Sequence, residues 1–226
     1  MDDIEIYKKA PDILYDDVFF NGMRKCKEWQ NYVGRKLYEN FNINRSDINN
    51  NFMVDFGCGL GYYIEGAKKR GAIVKGYEYM YNTAKKYMSE DIAERVQYGN
   101  VMDEIDTGGK WTFSMAIEVA EHILPEKSDV LVNNLVLACR NFIVFSAAPE
   151  DQTGQGHINL HPKEFWEEKF NRRGYFISKP CTGIIKSYFD RNMDDFKRNV
   201  SYANAKYLHV IRKNLMVLMR GRQLKK

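Results

Sequence analysis

The chain has 226 residues, 44% of them hydrophobic and 28% charged, with a formal net charge of +4. That balance describes a globular chain with a substantial core, excludes a disordered or collagen-like one, and permits an acidic partner without requiring one. Four widely spaced cysteines (Cys26, Cys58, Cys139, Cys181) form no Cys-x-x-Cys pair, which speaks against a zinc knuckle and against a disulfide framework.

The start, "MDDIEIYKKA", is acidic and has neither the basic end nor the apolar run of a signal peptide. No apolar stretch approaches the roughly 18 residues that span a bilayer, so a cytoplasmic protein without a membrane partner is expected. In "MRKCKEWQNYVGRKLYENF", Trp29, Val33 and Leu37 recur every fourth residue, a helical stripe made for packing. Residues 1–50 are expected to form an N-terminal helical cap, ending in the polar loop "NINRSDINNN". The cap either covers one side of the core or closes as a lid, with Tyr15, Phe19 and Phe20 as its aromatic edge.

From residue 52 strands and helices alternate. "NFMVDF", "AIVKGYE", "RVQYG", "WTFSMAI" and "NFIVFSAA" read as five strands, and "GYYIEGAKKRG", "NTAKKYM" and "PEKSDVLVNNLVLACR" as helices between them. "PKEFWEEKFNRRG" reads as a helix with Pro162 at its first position and Gly174 at its stop. "YFISK" and "LMVLMR" close the sheet, with a partly helical insertion on the substrate side at about 180–213. Residues 51–226 then form a doubly wound, Rossmann-like α/β domain. Its seven-stranded sheet is mainly parallel, its last strand returns antiparallel beside the fifth, and helices cover both faces.

The stretch "VDFGCGLGYY" places Gly57, Gly59 and Gly61 directly after the first strand, where open parallel sheets bind their ligands. Two of these glycines let a ligand touch the main chain, the third lets a helix start close by, and that helix start favours an anionic group. A dinucleotide loop would read G-x-G-x-x-G; this one is G-x-G-x-G with Asp55 two residues ahead. Asp55 repels a pyrophosphate and suits an ammonium group. Glu78, 21 residues after Gly57 at the end of the second strand, can accept from both hydroxyls of a ribose. A zwitterionic amino acid joined to a ribose is S-adenosylmethionine. Cys58 reads as a small filler, since nothing near it in sequence activates a thiol.

These residues carry a resemblance. "VDFGCGLG", Glu78 and the later "IEVAEHI" resemble class I S-adenosylmethionine-dependent methyltransferases over about residues 50–180, in particular the branch of the ubiquinone-type O-methyltransferases. The resemblance implies a methyltransferase fold and S-adenosylmethionine as cofactor. It implies methionine contacts at Gly57 and Gly59 with Asp55 and Cys58 beside them, ribose contacts at Glu78 with Tyr79 next to it, and adenine contacts at Gly99, Asn100 and Val101. The family often has Asp where this chain has Asn100, and Asp103 is a nearby substitute.

After the fourth strand, "EVAEHI" spaces Glu118, Glu121 and His122 so that one helical turn gathers them on one face. After the fifth, "GQGHINLHP" brings His157 and His161. Three readings stand side by side. In the first, Glu118 lines the cofactor while Glu121 and His122 fix a turn and His161 caps the next helix. In the second, His122 or His157 is a general base that takes a proton from a substrate hydroxyl. In the third, Glu118, Glu121, His122 and His157 hold Mg²⁺, Mn²⁺ or Fe²⁺, as mixed carboxylate and imidazole ligands can. The Glu-x-x-Glu-His pattern also resembles metal-assisted methyltransferases of ribose or catechol-like hydroxyls.

The end, "RKNLMVLMRGRQLKK" after "SYANAKY", is basic and aromatic but has no RNA-binding signature. The leading expectation is methyl transfer to a small-molecule acceptor, a hydroxyl favoured over an amine. The alternatives are a ribose hydroxyl of RNA, a dinucleotide-dependent oxidoreductase, and a non-catalytic module on the same fold.

Overall fold

A computed structural model of the chain describes residues 5, 14–41, 51–199 and 202–221, with the backbone alone for 192–199 and 202–207. Most of the first 13 residues, the polar loop expected at 42–50 and the basic end at 222–226 lie outside these residues. Among the described residues no helix is long and apolar enough to cross a membrane.

The apolar runs form strands, of which the central β1, β4 and β5 are buried on both faces, as crossover connections demand. They are β1 (Asn51–Phe56), β2 (Ile73–Glu78), β3 (Val96–Tyr98), β4 (Trp111–Ile117), β5 (Cys139–Ser146), β6 (Tyr175–Ile177) and β7 (Met216–Arg220). The sheet order is β3-β2-β1-β4-β5-β7-β6. The first five strands pair in parallel, and β7 runs antiparallel to both β5 and β6. The expected doubly wound, mainly parallel sheet with a late antiparallel strand is therefore what the chain forms.

Along β5 the two faces separate cleanly. Phe142 and Val144 join one core cluster, and Ile143 and Phe145 the other. The second cluster is covered by α6 (Ser128–Ala138) through Leu131 and Leu135, and by α7 (Lys163–Asn171) through Trp166 and Phe170. The first is covered by α2 (Lys27–Phe41), α3 (Tyr62–Lys68), α8 (Lys179–Asn199) and α9 (Tyr202–Asn214). Trp29, Val33 and Leu37 of α2 are fully buried there, so this helix belongs to the core of the sheet. The residues at 180–213 form the pair α8 and α9, whose Ile185, Phe189, Leu208 and Ile211 are in the same cluster. Three further helices are short: α1 (Asp17–Met23), α4 (Tyr81–Ala84) and α5 (Glu90–Ala93).

Several details differ from expectation. Cys139 and Arg140 belong to β5 rather than to α6, because the chain turns extended at Cys139 to meet Trp111 of β4. Pro162 is the cap residue in an extended conformation, and the helix proper begins at Lys163. His161 makes no cap; its ring stacks on Phe165 at 3.7 Å.

Helices α2 and α3 cross at two glycines. A Cβ on Gly34 would stand 1.9 Å from the Tyr63 carbonyl oxygen, and one on Gly66 would stand 2.0 Å from that of Asn31. Since the obstacle is backbone, Gly34→Ala is expected to cost about 3 kcal/mol in urea unfolding, at the upper end of overpacking effects. Gly183→Ala, on a helix with nothing within 4 Å of its Cβ, is expected to be neutral or slightly stabilising. Equal stability of the two variants would contradict the close crossing.

Candidate functional site

The parallel strands deliver their carboxyl ends to one edge of the sheet, and the loops leaving β1 to β5 enclose a cavity of about 430 Å³. The first wall is the glycine loop. Gly57, Gly59 and Gly61 all have φ between 55° and 73°, a region glycine enters without strain. The backbone N–H groups of Gly57 and Cys58 both donate to the Tyr77 carbonyl, at 2.8 and 3.0 Å, which curls the loop against β2. Helix α3 then starts at Tyr62 without a side-chain cap.

Asp55 lies on β1 between Gly76 of β2 and Met115 of β4. It is 2% exposed, lines the cavity, and its Oδ2 has no hydrogen-bond partner. Burial, and then the nearby Glu78 carboxylate, push its pKa up to about 8. Glu78 also lines the cavity; its Oε2 accepts from the Gly59 N–H and its Oε1 from the Met80 N–H, both at 2.9 Å. Burial raises the Glu78 pKa against the opposing pull of these main-chain donors. Cys58 is buried against Gly76, and burial holds its thiol well above the ordinary range, as befits a filler. Tyr79, Asn100 and Val101 line the same end, and Asn100 Oδ1 accepts from the Met102 N–H at 3.0 Å.

The second wall follows β4 and β5. Glu118 departs from the expected helical turn: its φ is +54°, the only positive value on a non-glycine residue among those described. Its N–H donates to the Ser146 carbonyl at the end of β5, so it still belongs to the sheet edge. Only Ala120–His122 forms a 3₁₀ turn. The carboxylate of Glu118 accepts from Gln152 Nε2 at 3.3 Å, and Gln152 accepts in turn from Asn214 of α9 at 3.1 Å. Glu118 Oε1 is left without a partner.

Glu121 is fully buried, and neither carboxylate oxygen has a hydrogen-bond partner. Burial and then the Glu118 charge raise its pKa well above the carboxylate range, tempered by the nearby backbone of Glu121 and Ala148. Ligand atoms of Glu121, His122 and His157 lie within 4.8 Å of one another; Glu118, expected with them, is not in this group.

The two histidine rings meet edge to face at 4.9 Å. His122 Nδ1 lies 3.1 Å from the Gly156 carbonyl and 2.9 Å from the Tyr15 hydroxyl. His157 Nδ1 lies 2.9 Å from the Gln152 carbonyl. A carbonyl can only accept, so both rings fit the tautomer with Nδ1–H, which leaves a lone pair on Nε2. Burial, and then His157, lower the His122 pKa to about 4, so it is neutral at neutral pH. A Cβ on Gly154 would stand 2.4 Å from His157 Nε2, so that edge of the ring packs against a position only glycine fits.

The third wall comes from the N-terminal segment. Tyr15, Phe19, Phe20 and Met23 line the cavity, and Gln155 Nε2 donates to the Leu14 carbonyl at 2.7 Å. Sequence reasoning missed Gln30, a buried side chain on α2 that also lines the cavity. A polar residue on the α2 stripe between Trp29 and Val33 was the signal for it.

No protein-family model and no curated protein matches the chain in sequence. Solved structures match in fold. The magnesium protoporphyrin IX methyltransferase of Synechocystis PCC 6803, with bound S-adenosylhomocysteine, has a TM-score of 0.51 and 14% identity, over 77% of this chain and 89% of that one. The phosphoethanolamine N-methyltransferase 2 of Haemonchus contortus has a TM-score of 0.57 and 13% identity, over 98% of this chain and 61% of that one. An O-methyltransferase family protein of Burkholderia thailandensis has a TM-score of 0.56 and 13% identity, over 93% of this chain and 60% of that one. The chain has the fold of the class I S-adenosylmethionine-dependent methyltransferases.

Proposed function

We propose that the chain is a methyltransferase that uses S-adenosylmethionine to methylate a small molecule, a hydroxyl being the leading acceptor group. One observation carries the reading: Asp55, a buried carboxylate with an unpartnered oxygen, shares a cavity with Glu78 at the ends of adjacent strands. An orphaned buried oxygen awaits a donor, and an ammonium group placed there restores what burial costs. The solved neighbours with the same fold hold S-adenosylmethionine or S-adenosylhomocysteine.

In this reading Asp55 holds the cofactor's ammonium, Glu78 its ribose, and Asn100 and Val101 flank the adenine, with Gly57, Cys58, Gly59 and Tyr79 around them. Gln30 offers its amide to the carboxylate. The cofactor, when bound, supplies a sulfonium methyl that needs alignment more than activation. His122, which burial keeps neutral, and His157, whose Nδ1 faces the Gln152 carbonyl, take the proton from an acceptor hydroxyl at Nε2. The segment from Leu14 to Met23 serves as the cap that excludes water. The orphaned carboxylate of Glu121 beside two imidazoles favours a second reading, in which Glu121, His122 and His157 hold a divalent ion that lowers the hydroxyl's pKa.

Calorimetry tests the cofactor. S-adenosylhomocysteine is expected to bind and NAD not to. Glu78→Ala is expected to weaken S-adenosylhomocysteine by about 1.5–3 kcal/mol, the worth of charge-assisted bonds to two hydroxyls. Glu78 also ties the glycine loop to β2, so Glu78→Gln, which keeps the shape, should lose less. Unchanged affinity in both variants, or tighter binding of NAD, would end the reading.

A further inference from the structure

Resting on the methyltransferase reading, the charge at the far end of the cavity narrows the acceptor. Apart from Gln30 of α2 and Glu118, which one reading sets beside the cofactor, the residues read as cofactor contacts lie at the ends of β1, β2 and β3, so the acceptor's place is the half bounded by the loops after β4 and β5. There Glu121 is fully buried with both oxygens unpartnered, and Glu118 beside it has one more. Among the described residues no lysine or arginine lines the cavity. Of the two glutamine amides nearby, Gln152 gives one N–H to Glu118 and Gln155 gives one to the Leu14 carbonyl. The rest of the wall is aromatic, from Tyr15 and Phe19.

We infer that the acceptor presents a neutral or cationic hydrogen-bond donor head, a hydroxyl cluster or an amino alcohol, to Glu118 and Glu121, and carries no carboxylate or phosphate into the cavity. Three unpartnered carboxylate oxygens call for donors, which hydroxyl and ammonium groups supply. An anionic group there would bring acceptor oxygens against acceptor oxygens at short range, with no lysine or arginine among the lining residues to balance it. A phosphorylated acceptor like the one in the Haemonchus contortus structure finds no matching cation among the residues described here.

The test is a titration of the chain loaded with S-adenosylhomocysteine, in EDTA so that no divalent ion supplies the positive charge. Two matched probe sets differ in the head alone: catechol, dopamine and protocatechuate; glycerol, serinol and glycerate. In each set the neutral and cationic members are expected to bind about tenfold or more tighter than the carboxylate, a clear step in free energy. Glu121→Gln, with Glu118→Gln as the second variant, is expected to narrow the gap between dopamine and protocatechuate about threefold or more. Carboxylates binding as tightly as their partners, equal affinities within a set however weak, or an unchanged gap in both variants would overturn the inference. The cofactor reading is judged separately by the binding of S-adenosylhomocysteine itself. Should that fail, the order of the probes on the free chain still decides the acceptor head.

Discussion

Asp55→Asn is expected to stabilise the free chain and, in the same molecule, to remove most of its affinity for S-adenosylhomocysteine. The Asp55 pKa is pushed up to about 8 by burial and by Glu78, whereas an unfolded chain leaves it near 3.8. Between those values the unfolded state releases a proton that the folded state keeps, so the free protein loses stability as pH rises from about 4 through about 8. Asparagine removes that linkage. Its thermal advantage should be absent in acid, grow through the window and level off above it.

Binding runs the other way. An ammonium group favours the ionised carboxylate, so binding to the natural chain at neutral pH should release close to one proton. Affinity should then rise with pH up to about 8. Calorimetry in two buffers of different ionisation enthalpy reads the proton directly, and the Asn variant should show neither the proton nor the slope. A variant that binds S-adenosylhomocysteine as well as the natural chain would move the ammonium site elsewhere and leave Asp55 a strained core residue. Few substitutions separate stability from binding so sharply, because the same unpartnered oxygen is a liability in the free protein and a contact in the complex.

The sheet was legible because its signals are local. Each of the parallel strands is a short apolar run between turn residues, and the glycine spacing with Asp55 and Glu78 marks one strand end and the next. The late return of β7 beside β5 could be expected because the apolar run at 215–220 comes after a long helical stretch. The contacts around the histidines are of another kind. Tyr15 and His122 stand 107 positions apart and meet at 2.9 Å, a pairing no periodicity reports. The departure at Glu118 was hidden too: its positive φ follows from hydrogen bonds to Ser146, 28 positions away, which override the helical spacing of Glu118, Glu121 and His122. Gln30 escaped notice for a simpler reason. It sits next to Trp29 on an amphipathic helix, and which side of such a helix meets a cavity is settled by the elements packed around it.

His157→Ala is expected to lower turnover by about 10²–10⁴-fold, the usual worth of a general base, while leaving the affinity for S-adenosylhomocysteine unchanged. The readout is transfer of a labelled methyl group to an acceptor found by screening. The ring is held by the Gln152 carbonyl at one nitrogen and packs its other edge against Gly154, so a loss confined to turnover points to proton transfer rather than to a collapsed loop. Under this reading EDTA leaves the natural chain active. If Glu121, His122 and His157 hold a divalent ion instead, EDTA should inactivate it and Mn²⁺ or Mg²⁺ should restore it. Glu121→Gln should then be nearly as damaging as His122→Ala, since each removes a ligand from the same group. The two readings also part on stability. Glu121 is a fully buried carboxylate whose pKa is raised well above the ordinary range, so Glu121→Gln should leave the metal-free fold intact or strengthen it. A Glu121→Gln protein that is stable, active and indifferent to EDTA would rule the ion out. A His157→Ala protein with near-normal turnover would take the proton-transfer role away from His157.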